Sequence, residues 1–218
     1  MPLQAPIIYP ITSGTTTPQT TPDDPQFSGI LWLVRAAVDA EVSLFQIREK
    51  SLPARVLFEL AARAAEITRG SNTRLLVNDR PDIARAAGAD GVHLTTHSLP
   101  AEVVRNTFGP GFLIGVSTHS LAEVQAARAA GADFVVFGPV FETESKRAYG
   151  EPQGLSKLAE VTRELGEYPV VAIGGITLDN AGECFRAGAR GVAAISILND
   201  AEKMPSIVET IRSRFVAE

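Results

Sequence analysis

Polar and charged residues gather directly behind short apolar runs along this chain. Leu44-Phe45 leads into Gln46-Ile47-Arg48-Glu49-Lys50, where strand alternation would put Gln46, Arg48 and Lys50 on a common side. Two cations and an amide converging on one point suit a phosphate or pyrophosphate, Arg offering a planar fork and Lys a point charge. Arg74–Val77 leads into Asn78-Asp79-Arg80-Pro81. An Asn-Asp pair there could hold a hard cation through oxygen ligands, or cap the helix that Pro81 opens, and spacing leaves both readings open.

All three histidines fall at or just beyond the ends of such runs. For His93, flanked by Val92 and Leu94, the better reading is a side chain that satisfies a backbone carbonyl. His119, in the polar turn Ser117-Thr118-His119, is the preferred acid/base. Further along, Gly174-Gly175-Ile176-Thr177 and Ser196-Ile197 follow apolar runs. If these are the last two strands of a barrel, their loops are the usual place for a phosphate, held by backbone N–H groups. Cys184 falls inside a helical segment with no base nearby and reads as packing, as do Trp32 and the phenylalanines.

The elements that must position these residues follow a simple rhythm. Eight apolar runs serve as strand candidates: Ile7–Thr12, Leu44–Arg48, Arg74–Val77, Gly91–Leu94, Leu113–Val116, Phe134–Phe137, Val170–Ile173 and Gly191–Ile195. Their apolar character throughout marks strands buried on both faces. Helix candidates lie near Ile30–Ala40, Pro53–Arg69, Asp82–Ala87, Pro100–Phe108, Leu121–Ala130, Gly154–Leu165, Asp179–Ala187 and Pro205–Val216. Strict alternation of this kind predicts an α/β fold, a single (β/α)₈ TIM barrel spanning 1–218, over an open doubly wound sheet. A near-repeat supports it: Ala87-Gly88-Ala89-Asp90, Ala130-Gly131-Ala132-Asp133 and Ala187-Gly188-Ala189-Arg190 each place a Gly where a left-handed residue would stop a helix. Ser51 and Ser120 mark helix starts, the latter with Glu123 at capping-box spacing. Two long segments, 13–26 and 138–154, break the rhythm as loops on the face where barrels do chemistry. The first is Thr- and Pro-rich and reads as a mobile excursion.

Composition narrows the function classes. The chain has 218 residues, 45% hydrophobic, with a formal net charge of −5. That balance supports a sizeable core and argues against a nucleic-acid partner. One cysteine allows no internal disulfide, and no apolar run approaches the roughly 18 residues of a membrane span. The expectation is a cytoplasmic protein without a membrane partner.

Taken in order, Gln46–Lys50, Asn78-Asp79-Arg80, Ala89–Leu94, Gly115–Ser120, Gly138-Pro139-Val140-Phe141 and Ile173–Ile176 resemble the motifs of thiamine-phosphate synthases from about Ile7 to Ser196. The resemblance implies a (β/α)₈ barrel. It implies a reaction that joins an aminopyrimidine methyl pyrophosphate to a thiazole phosphate, with Mg²⁺. It also implies roles: Gln46, Arg48 and Lys50 on pyrimidine and pyrophosphate; Asn78 and Asp79 on pyrophosphate and metal; Ser117 on ligand. Thr143, Ser145 and Lys146 match a stretch that closes on the substrates, and Gly175 and Ser196 match the thiazole-phosphate site.

Synthases usually carry an Asp, a second metal ligand, where this chain has Ser98. A hydroxyl is a poor substitute for a carboxylate facing Mg²⁺ and pyrophosphate. Small polar residues after His93-Leu94 and the wording Val140-Phe141-Glu142-Thr143 resemble instead a thiazole tautomerase branch, in which the residue matching His119 is catalytic. Lys50 and Asp79 resemble the synthase pattern. Weighing the lost carboxylate most, the expected function is a tautomerase that aromatises a carboxythiazole phosphate without a metal or other cofactor. His119 would move the proton, Ser117 and Lys146 orient the ligand, and Gly174, Gly175, Ser196 and Ile197 hold its phosphate. The alternative is the Mg²⁺-dependent synthase, with Asp79 on the metal and Glu142 or Glu144 as compensating acids. A second alternative is a regulator that binds a thiamine precursor. A homodimer is allowed for, with no residue singled out for it.

Overall fold

A computed structural model describes residues 3–142 and 151–216. Its strands are β1 (Ile7–Pro10), β2 (Leu44–Ile47), β3 (Arg74–Asn78), β4 (Gly91–Leu94), β5 (Leu113–Thr118), β6 (Phe134–Phe137), β7 (Val170–Ile173) and β8 (Gly191–Ala194). They alternate with α1 (Pro25–Asp39), α2 (Ala54–Thr68), α3 (Pro81–Ala87), α4 (Ala101–Phe108), α5 (Leu121–Ala129), α6 (Gly154–Leu165), α7 (Ala181–Arg186) and α8 (Met204–Val216). All pairings are parallel, in the order β1-β8-β7-β6-β5-β4-β3-β2. The ring closes between β1 and β2 through a bridge of Ile11 with Gln46, where Thr12 N–H donates to the Gln46 carbonyl at 3.0 Å. This is a (β/α)₈ barrel.

Parallel strands buried on both faces need two cores. Inside the barrel Ile7, Tyr9, Leu44, Leu76, Phe134, Val136, Val171 and Ala193 pack together. Outside, the other strand faces pack against the apolar stripes of the helices, for example Phe45, Val77 and Val92 with Leu60, Ala64 and Ile83. The alternate residues that fill the interior carry on upward in register, so Gln46 follows Leu44, Asn78 follows Leu76 and Ser117 follows Gly115 toward the mouth.

At the opposite end the repeated Ala-Gly-Ala turns do the work expected of them. Gly88, Gly131 and Gly188 have φ of 78°, 83° and 86° and end their helices in the left-handed region. The aspartates that follow accept from strand N–H groups: Asp90 from Leu75 at 2.8 Å and Asp133 from Ile114 at 2.7 Å. Ser120 caps α5 by accepting from the Glu123 N–H at 3.2 Å, while the Glu123 carboxylate accepts from His119 N–H at 2.7 Å.

Several expectations need correction. Helix α1 begins at Pro25, not Ile30, because proline at the first helical position has the right φ; the segment read as a loop over 13–26 therefore ends at Asp24. Ser51 caps nothing, since α2 starts after Pro53 without a side-chain cap. Trp32 and Phe58 are not core: they are 56% and 41% exposed, on the outer faces of α1 and α2.

Candidate active site

The mouth at the C-terminal ends of the strands collects most of the residues picked out by type. Gln46 and Asn78, both buried, lie side by side, with Gln46 Nε2 donating to Asn78 Oδ1 at 3.0 Å. That bond orients the Gln46 amide and leaves Oε1 a buried side-chain acceptor without a partner among the described residues. A buried carbonyl left unpaired costs roughly 1–3 kcal/mol, so such an atom marks where a ligand donor belongs. Arg48 is half-buried, with its guanidinium near the first loop, where a Cβ at Gly14 would lie 3.7 Å from Nη1. Lys50 lies three residues past the end of β2 and is exposed, so strand alternation no longer dictates its direction.

Asp79 stands one residue beyond β3 with φ of 59°, a left-handed backbone that few residues other than glycine adopt. Its N–H donates to the His93 carbonyl at 2.9 Å. The helix cap expected of Asn78 or Asp79 is absent: the N-cap of α3 is Arg80, without a side-chain cap bond, and Arg80 pairs with Asp82 at 2.6 Å. The Asp79 carboxylate makes no hydrogen bond or ion pair among the described residues, and backbone strain of this kind concentrates at functional positions.

His93 proves to be more than a backbone partner. It is fully buried inside the barrel, with Nε2 2.8 Å from Ser117 Oγ and Nδ1 3.3 Å from the Tyr9 hydroxyl. Burial, with the nearby Arg48 charge, lowers its pKa to about 3, so the ring is neutral at working pH. His119 sits at the rim of β5 and gives its Nδ1–H to the Gly138 carbonyl, which fixes the tautomer with Nε2 as the basic nitrogen.

Gly174 and Gly175 have φ of 99° and 64° and are crowded from the neighbouring loop. A Cβ at Gly174 would lie 2.5 Å from Pro139 Cβ, and one at Gly175 2.6 Å from the Glu142 carbonyl oxygen. Val140 N–H donates to the Ile173 carbonyl at 2.8 Å and Phe141 N–H to that of Gly174 at 3.0 Å, so the glycine pair is the seat on which the loop after β6 rests. Ser196 is exposed beyond β8, and Ile197 packs partly buried against the outer core. Thr143, Ser145 and Lys146, together with Glu144, lie outside the described residues.

Two residues escaped the sequence reading. Glu49 is 3% exposed and accepts from the N–H groups of Gly14 and Thr16 and from Thr16 Oγ1 at 2.6 Å. It ties the first loop, expected to be mobile, to the end of β2. The available signal was an acid set between two cations and facing a Gly-Thr-Thr-Thr stretch rich in free N–H groups. Asn199 likewise donates to the Ile11 carbonyl at 2.6 Å, strapping the loop after β8 to the end of β1. Ser98, at the position of the missing acid, is spent locally: its Oγ accepts from Thr95 N–H at 2.7 Å.

Magnesium usually takes one or two carboxylates together with substrate phosphates. Among the described residues no three His, Cys, Asp or Glu side chains form a metal cluster. One unengaged carboxylate, Asp79, fits an ion that arrives with a diphosphate rather than a dedicated cage.

Fold and site together define a (β/α)₈ barrel of the kind that gathers anion-binding groups at the carboxyl ends of its strands. The family profile described as thiamine monophosphate synthase matches residues 17–198. A Geobacter sulfurreducens protein, provisionally named a thiamine-phosphate synthase, is 52% identical over 169 residues, covering 78% of this chain and 79% of that one. The thiamine-phosphate synthase of Methanoculleus marisnigri is 42% identical over 185 residues, covering 85% and 87%. The solved thiamine phosphate pyrophosphorylase of Pyrococcus furiosus superposes with a TM-score of 0.80 at 33% identity, over 97% of this chain and 96% of that one. The chain belongs to the thiamine monophosphate synthase family, whose work is in thiamine biosynthesis.

Proposed function

We propose that this chain is a thiamine-phosphate synthase, a transferase, in place of the tautomerase expected from Ser98. Relatives more than 40% identical that match over most of their length carry the synthase name. The observation in the site that carries the reading is Asp79, a carboxylate on a left-handed backbone that makes no hydrogen bond or ion pair among the described residues, with the neighbouring Arg80 charge acting on it. A metal-free proton transfer has no use for it, whereas a departing diphosphate with its cation does.

In this reading the bond between the pyrimidine methyl carbon and the diphosphate oxygen breaks, and its electron pair leaves with diphosphate. The thiazole nitrogen then forms the new C–N bond with its lone pair. Mg²⁺, when bound, would neutralise charge developing on the leaving oxygens. Arg48, assisted by Lys50 and Lys146, would hold the diphosphate, and Asp79 the cation. Gln46 and Asn78 would take the pyrimidine through the unmet Oε1 acceptor. Ser117 would meet the ligand at the mouth, and Thr143 and Ser145 would close over it. Gly175 and Ser196 would receive the thiazole phosphate.

Two observations favour the tautomerase as a second reading: His119 gives its Nδ1–H to the Gly138 carbonyl and keeps Nε2 toward a ligand proton, and Ser98 offers no carboxylate. The test is a coupling assay with pure protein, Mg²⁺, pyrimidine diphosphate and aromatic thiazole phosphate. Equal amounts of thiamine phosphate and diphosphate are expected. Their absence, with accelerated aromatisation of the thiazole tautomer that His119→Ala abolishes, would move the assignment to the tautomerase. Binding without turnover in either assay would leave a regulator.

A further inference from the structure

Tyr9, His93 and Ser117 form one line of hydrogen bonds from the barrel interior to its mouth. Tyr9 and His93 are buried at 0% and 3% exposure, and Ser117 is half-buried at the upper end. The Tyr9 and His93 rings lie 5.9 Å apart, and both pack against Phe134, at 5.8 and 6.3 Å.

The direction of each bond follows from counting donors and acceptors. A neutral imidazole has one N–H and one bare nitrogen. If Nδ1 carried the proton and gave it to the Tyr9 oxygen, the buried Tyr9 O–H would have no acceptor, because His93 is its one hydrogen-bond partner among the described residues. If Tyr9 donates to Nδ1, every buried group is satisfied and Nε2 carries the proton. Nε2–H must then donate to Ser117 Oγ at 2.8 Å. The serine hydroxyl has received a hydrogen bond from inside the barrel, and its own proton is left for the mouth. An imidazolium donating both ways is excluded by the same count, because it too would leave the buried Tyr9 O–H without an acceptor.

We propose that Tyr9 and His93 are positioning residues that lock the Ser117 hydroxyl as a hydrogen-bond donor toward the mouth, so that this point of the site takes an acceptor atom of the substrate and turns away an N–H. Naming the substrate rests on the synthase reading; the proton order does not. The acceptor is either a ring nitrogen of the pyrimidine or an oxygen of the diphosphate, and each is a lone-pair atom that a fixed O–H can meet.

The experiment has two arms. In the full-length protein, ¹⁵N-labelled histidine resolves three rings, and His93 is assigned by its loss in His93→Asn. A protonated Nε2 with a bare Nδ1 is expected; a protonated Nδ1 overturns the proposal. In the second arm Tyr9→Phe removes one oxygen and keeps the ring. It is expected to give a mixture of tautomers at His93 and to lower kcat/KM for coupling about tenfold, the size of one hydrogen bond, with Tm lower by about 2–4 °C for the ring nitrogen left unmet. Titrating inorganic diphosphate alone and the aminopyrimidine alcohol alone identifies the acceptor as the ligand whose binding Tyr9→Phe weakens. A variant that loses Tm while tautomer and both affinities stay unchanged makes Tyr9 merely structural and overturns the proposal. Should the wild type fail to couple while Nε2 is protonated, the synthase reading falls and the relay stands.

Discussion

Asp133 and Asp79 are both aspartates at the ends of barrel strands, and their surroundings are opposite. Asp133, just before β6, accepts from Arg105 at 2.6 Å and from the Ile114 N–H at 2.7 Å. Arg105 in turn donates to the carbonyls of Gly109, Phe112 and Gly131. Asp79, just after β3, sits on a left-handed backbone with its carboxylate unengaged among the described residues. The same division runs through the other polar groups. Asp90 and Thr162 at the lower end are paired with backbone, whereas Gln46 Oε1 at the mouth is buried and unmet. The lower end spends its polar groups on holding strands in register, whereas the mouth, which ties down its own loops through Glu49 and Asn199, also holds Asp79 and Gln46 Oε1 without hydrogen bonds among the described residues.

The largest expected effect breaks this contrast at the mouth. Asn tolerates the left-handed region as well as Asp does, so Asp79→Asn removes charge without disturbing the backbone. It is expected to lower kcat/KM for coupling about a hundredfold or more, comparable to losing one electrostatic group at a reacting centre. Its Tm should match the wild type, and raising Mg²⁺ should recover part of the loss. Unchanged kinetics across a Mg²⁺ titration would show that Asp79 holds no cation.

At the lower end the expectation reverses. Asp133→Ala strands a buried strand N–H and removes the partner of Arg105, which should cost about 2 kcal/mol of stability in urea unfolding. Activity per folded molecule should stay the same, because the lower end of such barrels serves stability. A fall in kcat with no change in the unfolding midpoint would erase the distinction between the two ends.

The difference between the ends also explains what was legible from sequence. The strands could be read because a doubly buried strand writes its environment into every residue, as in Phe134–Phe137, and the Ala-Gly-Ala turns because a left-handed helix stop needs glycine. Those are local signals. Glu49 looked like one more charge between Arg48 and Lys50, and its partners Gly14 and Thr16 lie more than thirty residues away. His93 looked like a structural histidine until Tyr9, 84 residues earlier, was placed beside it. Ser98 stood out as a missing metal ligand, yet a serine can close its own turn, and residue type alone cannot say which. Trp32 went astray for the converse reason, since apolar spacing on a helix does not reveal which indole the neighbouring elements leave uncovered.

His93 belongs to neither end, and its acid response sharpens the comparison with the smallest effect. Its pKa is lowered to about 3 in the folded protein, chiefly by burial and then by Arg48, against 6.5 in the unfolded chain. Between those values the unfolded state binds a proton that the native state refuses, so stability rises with pH in that window and falls as the solution is acidified. Above pH 6.5 both states are neutral at this ring and it contributes no slope. Acidifying from near pH 6 to near pH 5 should therefore cost the wild type about 1 kcal/mol from this residue alone. His93→Asn, which can still hydrogen-bond inside the barrel, is expected to start less stable and to lose less over the same interval. Parallel urea midpoints for the two proteins across that range would show that the ring is protonated within the native state, and would remove the bare Nδ1 that accepts from Tyr9.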